Sequence, residues 1–194
     1  MKTENKELMR MAKASLKGKW GIAVGTFLLY YLIIGAIAGS AEVTPLFGLL
    51  TLVILGPMYL GISIFSLAIS RDSEPRLEQI FMGFHNFTTA LVTFLLMALF
   101  VFLWLLLLII PGIVAAISYS MTFYIIADDG SIKPMEALRK SQTMMYGYKW
   151  KFFCLGLRFI GWGILCILSL GIGFLWLVPY GQVIYAKFYD DIKG

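Results

Sequence analysis

The chain is poor in the residues that enzymes use for chemistry in water. It has one histidine, two cysteines and eleven acidic residues among 194. One histidine, His85, excludes a histidine-built metal site. Cys154 and Cys166 are twelve residues apart in one apolar run. That is about 18 Å along a helix, too far to bridge, so they read as small buried apolar residues. There is no glycine-rich phosphate loop, no Gly-x-Ser-x-Gly and no carboxylate pair inside an apolar run. The expectation is a protein that is not an enzyme and carries no cofactor.

Charge is missing in a pattern. Trp20 to Ile69 is 50 residues with one charge, Glu42. Phe87 to Ala127 is 41 residues with none, and Phe152 to Ala186 is 35 residues with one, Arg158. Hydrophobic residues make up 60% of the chain and charged ones 14%, which excludes an ordinary soluble domain. A crossing needs about 20 apolar residues, so each block is long enough to go out and return. The expected fold is an all-α integral membrane protein with six transmembrane helices in three hairpins. Each hairpin is preceded by a short cytoplasmic amphipathic helix. Residues 1–194 form a single membrane domain. The third block is short for two full crossings and is expected to tilt or to be partly re-entrant.

The sixteen basic residues sit before, between or after the blocks, apart from Arg158. The mid-block turns, near residues 39–45, 110–112 and 170–173, carry none. The positive-inside rule then places both termini in the cytoplasm. Nucleic acid is a poor partner for this charge, because anionic lipid headgroups lie nearer. Gly39-Ser40-Ala41 follows an apolar run like a signal-peptidase site, but the long, helix-patterned stretch before it and the recurrence of the layout favour a retained first span.

A unit recurs three times, over residues 1–70, 71–128 and 129–194. It is an amphipathic helix, a Gly plus aromatic/basic junction, a span, a turn and a returning span that ends near acid. The junction glycines Gly18, Gly83 and Gly147 are 65 and 64 residues apart, the mark of a repeated supersecondary unit. Glycine lets the chain turn from lying along the membrane to crossing it. Trp20, Phe87 and Trp150 follow as interfacial anchors. The acids Asp72, Asp128-Asp129 and Asp190-Asp191 read as solvated helix ends, with Ser73 and Ser131 as N-caps before Pro75 and Pro134. Pro111-Gly112 reads as the second hairpin's turn. Pro57 and Pro179 fall inside returning spans and should kink them.

Four features bear on function. Lys6, Arg10, Lys13 and Lys17 share one face of the first helix, opposite Leu8, Met11, Ala12 and Leu16. With Trp20, Lys149, Trp150 and Lys151 they are the candidate contacts for anionic headgroups. Arg158 lies about 10 Å past Lys151 along a helix, within snorkelling reach of the interface. Its alternative partners are a lipid phosphate or the polar residues Ser118, Tyr119, Ser120 and Gln182. Gly21/Gly25, Gly35/Gly39 and Gly156, Gly161 and Gly163 are expected to let helices approach closely within the monomer. Ser118, Tyr119, Ser120, Thr122 and Tyr124 form a polar strip suited to interhelix hydrogen bonds.

The stretches Leu107–Met121, Met145–Lys151, Phe159–Trp162, Gly171–Gly173, Trp176–Tyr180 and Phe188-Tyr189 resemble the motifs of one family. It is the uncharacterised bacterial membrane family known as domain of unknown function 975, common in low-GC Gram-positive bacteria. The resemblance covers nearly the whole chain and implies a multipass plasma-membrane protein; it brings no site residues with it. A more distant similarity is to the membrane domain of some glycerophosphodiester phosphodiesterases, which implies a lipid-side accessory role. The expected function is a non-enzymatic accessory or scaffold protein engaging lipid, another membrane protein or a second copy of itself. The alternatives are export of a small amphipath or peptide around Arg158, and immunity to membrane-active peptides.

Overall fold

The computed structural model describes residues 3–40 and 45–193. The described residues are helical, with no strand among them. The order is α1 (Asn5–Ser15), α2 (Trp20–Ser40), α3 (Pro45–Ser70), a 3-10 helix (Leu77–Asn86), α4 (Phe87–Leu107), α5 (Ile109–Tyr119), α6 (Thr122–Asp128), α7 (Pro134–Met144), α8 (Lys149–Leu168) and α9 (Phe174–Lys193). The first outer turn and Glu42 fall at 41–44 and lie outside the described residues, as does Lys2.

The helices differ sharply in burial. The returning elements α3, α5–α6 and the second half of α9 are largely buried, whereas α2, α4 and α8 expose most of their apolar side chains. α3 is the hub: it packs against α2, α4, α6, α9 and the 3-10 helix. Phe65, Met58, Leu60 and Ile69 on α3 meet Ile125, Ile126, Phe188 and Tyr189 in one core. An apolar helix exposed over most of its surface belongs in hydrocarbon. Five described segments are long and apolar enough to cross a membrane: Trp20–Gly39, Leu50–Ser70, Leu77–Leu107, Ile109–Asp128 and Lys149–Leu168. α9 is not among them. Its last two turns carry Lys187, Asp190, Asp191 and Lys193, so its apolar part, Phe174 to Ala186, spans about 20 Å.

The junctions explain the layout. Gly18 and Gly147 both have φ +81°, and a Cβ on either would meet nothing. Each ends its amphipathic helix in the left-handed conformation and redirects the chain into α2 or α8. The middle junction differs. Gly83 has no positive φ, and a Cβ there would strike the Pro57 carbonyl. The glycine serves close packing of the 3-10 helix on α3, so the middle unit matches the other two only loosely.

Several local expectations are corrected. The second hairpin turns at Leu108, whose backbone is extended, and not at Pro111-Gly112. Pro111 sits in the first turn of α5, where its missing N–H costs nothing. Gly112 makes room for the Leu105 side chain across the hairpin. The returning span is broken at Ser120-Met121 into α5 and α6. Ser131 does not cap α7; the cap position is Lys133, and Ser131 donates from its N–H and hydroxyl to Asp129 Oδ1. Ser73 likewise caps no helix: its N–H closes the end of α3 on Ala68 O, and Arg76 precedes the 3-10 helix.

The small-residue expectation is also overturned. A Cβ at Gly21, Gly25, Gly35, Gly39, Gly156 or Gly161 would meet nothing within 4 Å, and one at Gly163 would touch only Phe174. These glycines do not bring helices together within the chain. The close approaches are at Gly56, against Ala90 O, and at Gly61, against Ile80. Both lie on α3, the helix with most neighbours.

Candidate functional site

Two features stand out: a groove between the second and third hairpins, and an ion-pair lattice at the end of the bundle that bears the amphipathic helices.

The groove opens between α5, α8 and α9. Its volume is about 620 Å³, and its walls include Ile113, Ile117, Phe152, Gly156, Gln182 and Tyr185, with Tyr31 of α2 at one edge. It adjoins a chamber of about 440 Å³ faced by Tyr59, Ser63, Met97, Tyr119, Ser120 and Tyr124. Phe152, Gln182 and Tyr185 line both. All residues lining the two spaces are uncharged. The aromatic wall is braced: Phe152 packs on Tyr185 at 5.1 Å between ring centres and on Phe188 at 5.2 Å.

The polar groups of this space are hydroxyls and one amide. Tyr124 Oη donates to Gln182 Oε1 at 3.1 Å, which orients the amide. Gln142 Nε2 donates to Tyr119 Oη at 2.8 Å. A wall of this kind can hold an apolar chain along its aromatic side and a hydroxyl, ether or carbonyl group near Gln182 and Tyr185. It offers nothing that would balance a full charge.

The polar strip lies partly here, but it bonds differently from expectation. Ser118, Ser120 and Thr122 donate back to Val114 O, Ile117 O and Tyr119 O of their own chain segment, at 2.6, 2.8 and 2.7 Å. Such bonds compete with the helical ladder and coincide with the break between α5 and α6. The strip's two tyrosines do bond across elements as expected, Tyr124 donating to Gln182 and Tyr119 accepting from Gln142, and Ser141 Oγ donates to Ser118 O.

At the other feature, the ends of α3, α6 and α9 converge. Arg71 Nη1 and Nη2 donate to the two Asp128 oxygens at 2.6 and 3.0 Å, and Nη2 also donates to Asp190 Oδ1 at 2.7 Å. Lys193 Nζ and Tyr189 Oη reach Asp128 Oδ2 at 2.6 and 2.9 Å. Ser70 Oγ donates to Asp190, and Lys187 Nζ to Ser70 O. Asp191 accepts from Lys151 Nζ at 3.0 Å and from the Thr3 hydroxyl at 2.6 Å. The expectation that these acids are merely solvated ends is therefore wrong for Asp128, Asp190 and Asp191. They tie three helix ends and the N-terminal segment together. Burial works to raise the Asp191 carboxyl, but hydrogen bonds from Thr3 and Lys151 outweigh it and hold it below the usual carboxylate range. Asp129 remains exposed and accepts only locally from Ser131; Asp72 is exposed and faces Lys19 at 3.5 Å.

The other predicted residues fall outside the groove. Lys6, Arg10 and Lys13 on α1 and Lys17 in the turn after it are exposed as expected, and Leu8, Ala12 and Leu16 are buried; Met11, assigned to the apolar face, is exposed. Arg10 pairs with Glu7 at 2.8 Å. Trp20 packs against the core, while Trp150 is exposed and stacks on Phe153. Lys149 is half-buried; Lys151 is engaged by Asp191 and sits over the Phe188 ring, so it is not free for headgroups. Arg158 is exposed, lines neither space, and donates from Nη1 to Met9 Sδ of α1 at 3.5 Å. Of the residues named for the intramembrane site, Tyr119, Ser120 and Gln182 face the chamber and Arg158 and Ser118 do not line it. Tyr31, Tyr59, Phe152 and Tyr185 were missed; the signal in the sequence was tyrosine inside uncharged runs. Among the described residues no group of three or more His, Cys, Asp or Glu could hold a metal.

The family of proteins of unknown function DUF975 matches this chain over residues 1–118 and again over 104–194. The two matches together run from end to end. The chain belongs to this family. No curated protein and no solved structure matches it. The more distant similarity to the membrane domain of glycerophosphodiester phosphodiesterases finds no support.

Proposed function

We propose that this DUF975 protein is a non-enzymatic multipass protein of the bacterial plasma membrane that holds an amphipathic lipid. It acts as an accessory or scaffold protein. α9 would serve as a short sixth crossing, with residues 174–186 in hydrocarbon and its charged last two turns among the headgroups. Both termini would then be cytoplasmic, beside α1, the 3-10 helix and α7. The matching +81° turns at Gly18 and Gly147 support a common origin for the first and third units.

The observation that carries the reading is the groove between α5, α8 and α9, with its aromatic wall and its uncharged polar end at Gln182 and Tyr185. A lipid chain fits the first and a glycerol hydroxyl or ester carbonyl the second. The test is native mass spectrometry of protein extracted gently from its own membrane. Gly156 lines the groove, and a Cβ there meets nothing, so Gly156→Phe fills the space without striking backbone. The expected result is a stoichiometric lipid on the wild type and its loss from Gly156→Phe at unchanged thermal stability. A lipid held equally by both proteins, or none on either, refutes the reading.

A second reading, export of a small amphipath, draws on the junction of groove and chamber at Phe152, Gln182 and Tyr185. It predicts that Arg71→Ala, which loosens the ion-pair lattice, changes efflux of a fluorescent amphipath from vesicles. Equal efflux with and without the protein removes it.

A further inference from the structure

A second groove lies beside α9, where α1 crosses the third hairpin, and Leu177 is common to it and the first. Three hydrogen bonds hold α1 there: Tyr180 Oη donates to Met9 O at 3.1 Å, Arg158 reaches Met9 Sδ, and Asn5 Nδ2 donates to Lys151 O at 3.0 Å. The contact leaves an apolar groove of about 280 Å³ whose walls are Trp20, Trp162, Trp176, Tyr180 and Cys166. Three of the chain's five tryptophans meet in it. Its mouth is Lys13. Lys13 and Trp20 also line an adjoining recess of about 470 Å³ together with Arg10 and Lys17. Among the described residues neither Lys13 nor Lys17 has a carboxylate partner. The backbone of Gly18 also borders the recess, and its +81° turn fixes the angle between the basic stripe and Trp20.

A basic recess that opens into a tryptophan-walled groove has the polarity of one anionic lipid laid end to end. Tryptophan favours the headgroup boundary, and basic side chains beside it draw phosphate. We propose that this junction binds an anionic glycerophospholipid, with its phosphate against Lys13, Lys17 and Arg10 and an acyl chain between Trp162 and Trp176. This is more specific than a basic helix lying on a charged surface, because the tail site is supplied by α8 and α9. This groove shares only Leu177 with the lining of the groove at Gln182, and Lys13, Trp20, Trp162 and Trp176 line none of that other space.

The test uses the full chain in phosphatidylcholine vesicles that contain a fixed minor fraction of lipid with brominated chains. Bromine quenches tryptophan at contact. Brominated phosphatidylglycerol should quench more than brominated phosphatidylcholine at the same fraction. The protein carries Trp104→Phe and Trp150→Phe throughout, so that Trp20, Trp162 and Trp176, which wall the groove, are the reporters. Lys13→Ala with Lys17→Ala should abolish the excess while the phosphatidylcholine quenching, which reports a folded and inserted protein, is retained. Trp162→Phe with Trp176→Phe should abolish it too. Gly156→Phe, which blocks the other groove, should leave it intact. Equal quenching by the two lipids, or an excess that survives removal of both lysines, overturns the proposal. An excess that persists in the double tryptophan variant would mean that the basic stripe binds the surface without a tail site, and that also overturns it.

Discussion

Replacing Arg71 with Ala should weaken the bundle more than any other surface charge substitution. Arg71 donates two hydrogen bonds to Asp128 and three to Asp190, the shortest of the latter at 2.7 Å. Paired bonds from one guanidinium to a carboxylate are among the stronger ion pairs. The arginine side chain is 39% exposed, against 12% for Asp128 and 29% for Asp190. Exposed pairs contribute about 0–1 kcal/mol each, and bonds to charged groups up to about 1.5–3 kcal/mol. Solvent screening holds each Arg71 pair to the top of the exposed range, about 1 kcal/mol, so the loss is about 2 kcal/mol for the two. Lys193 continues to serve Asp128, which keeps the figure from rising further. The measurement is unfolding of purified protein in mixed detergent micelles, followed by far-UV circular dichroism. Arg76→Ala is the control. Its nearest carboxylate is Glu74 at 3.9 Å, both side chains are well exposed, and it should cost under about 0.5 kcal/mol. Arg71→Ala unfolding with the same midpoint as Arg76→Ala would refute the view that the lattice clamps α3, α6 and α9 together.

Gly61→Ala should cost about 3 kcal/mol or prevent folding, because its Cβ would strike the Ile80 backbone; Gly25→Ala, open on all sides, should be neutral in the same assay. Arg158→Ala should leave the lipid of the Gln182 groove in place by native mass spectrometry, since Arg158 lines no part of it; loss of that lipid would return Arg158 to the site. Asp191 titrates below the usual carboxylate range when folded, so its contribution is present above its unfolded value and disappears as pH falls through the folded one. Stability should therefore be flat between neutral pH and about pH 4.5 and fall below about pH 3.9. Asp191→Asn should make that acid limb shallower, as read from unfolding midpoints across pH.

The all-helical build and its membrane-length apolar helices were legible from the long uncharged runs, and the buried side of the first helix from the helical spacing of Leu8, Ala12 and Leu16. What each helix touches was not. Gly21 and Gly25 have the spacing of a packing motif, yet they face outward, while Gly61 and Gly83 carry the closest approaches and have no such motif. Spacing shows which residues share a face, but not whether a neighbour covers it. The acids failed as predictions for a related reason. Asp128 and Asp190 look like helix ends in solvent until the tertiary fold brings Arg71 beside both. They are 62 residues apart in sequence, and nothing local links them. Of the candidate sites, the basic stripe could be read from periodicity. The groove could not, because Tyr31, Tyr59 and Tyr185 lie on three different helices and look like ordinary apolar-run tyrosines.

The central claim is that the space beside Gln182 is occupied by lipid in the native membrane. The most direct measurement is to place a photo-crosslinking phenylalanine analogue at Tyr185, irradiate intact cells, and identify the adduct by mass. A parallel sample carries the analogue at Leu106, on the exposed surface of α4. The account predicts one dominant lipid adduct from position 185 and a mixture that mirrors the bulk membrane from position 106. The same bulk mixture at both positions, or adducts at 185 only within the chain itself, would contradict it.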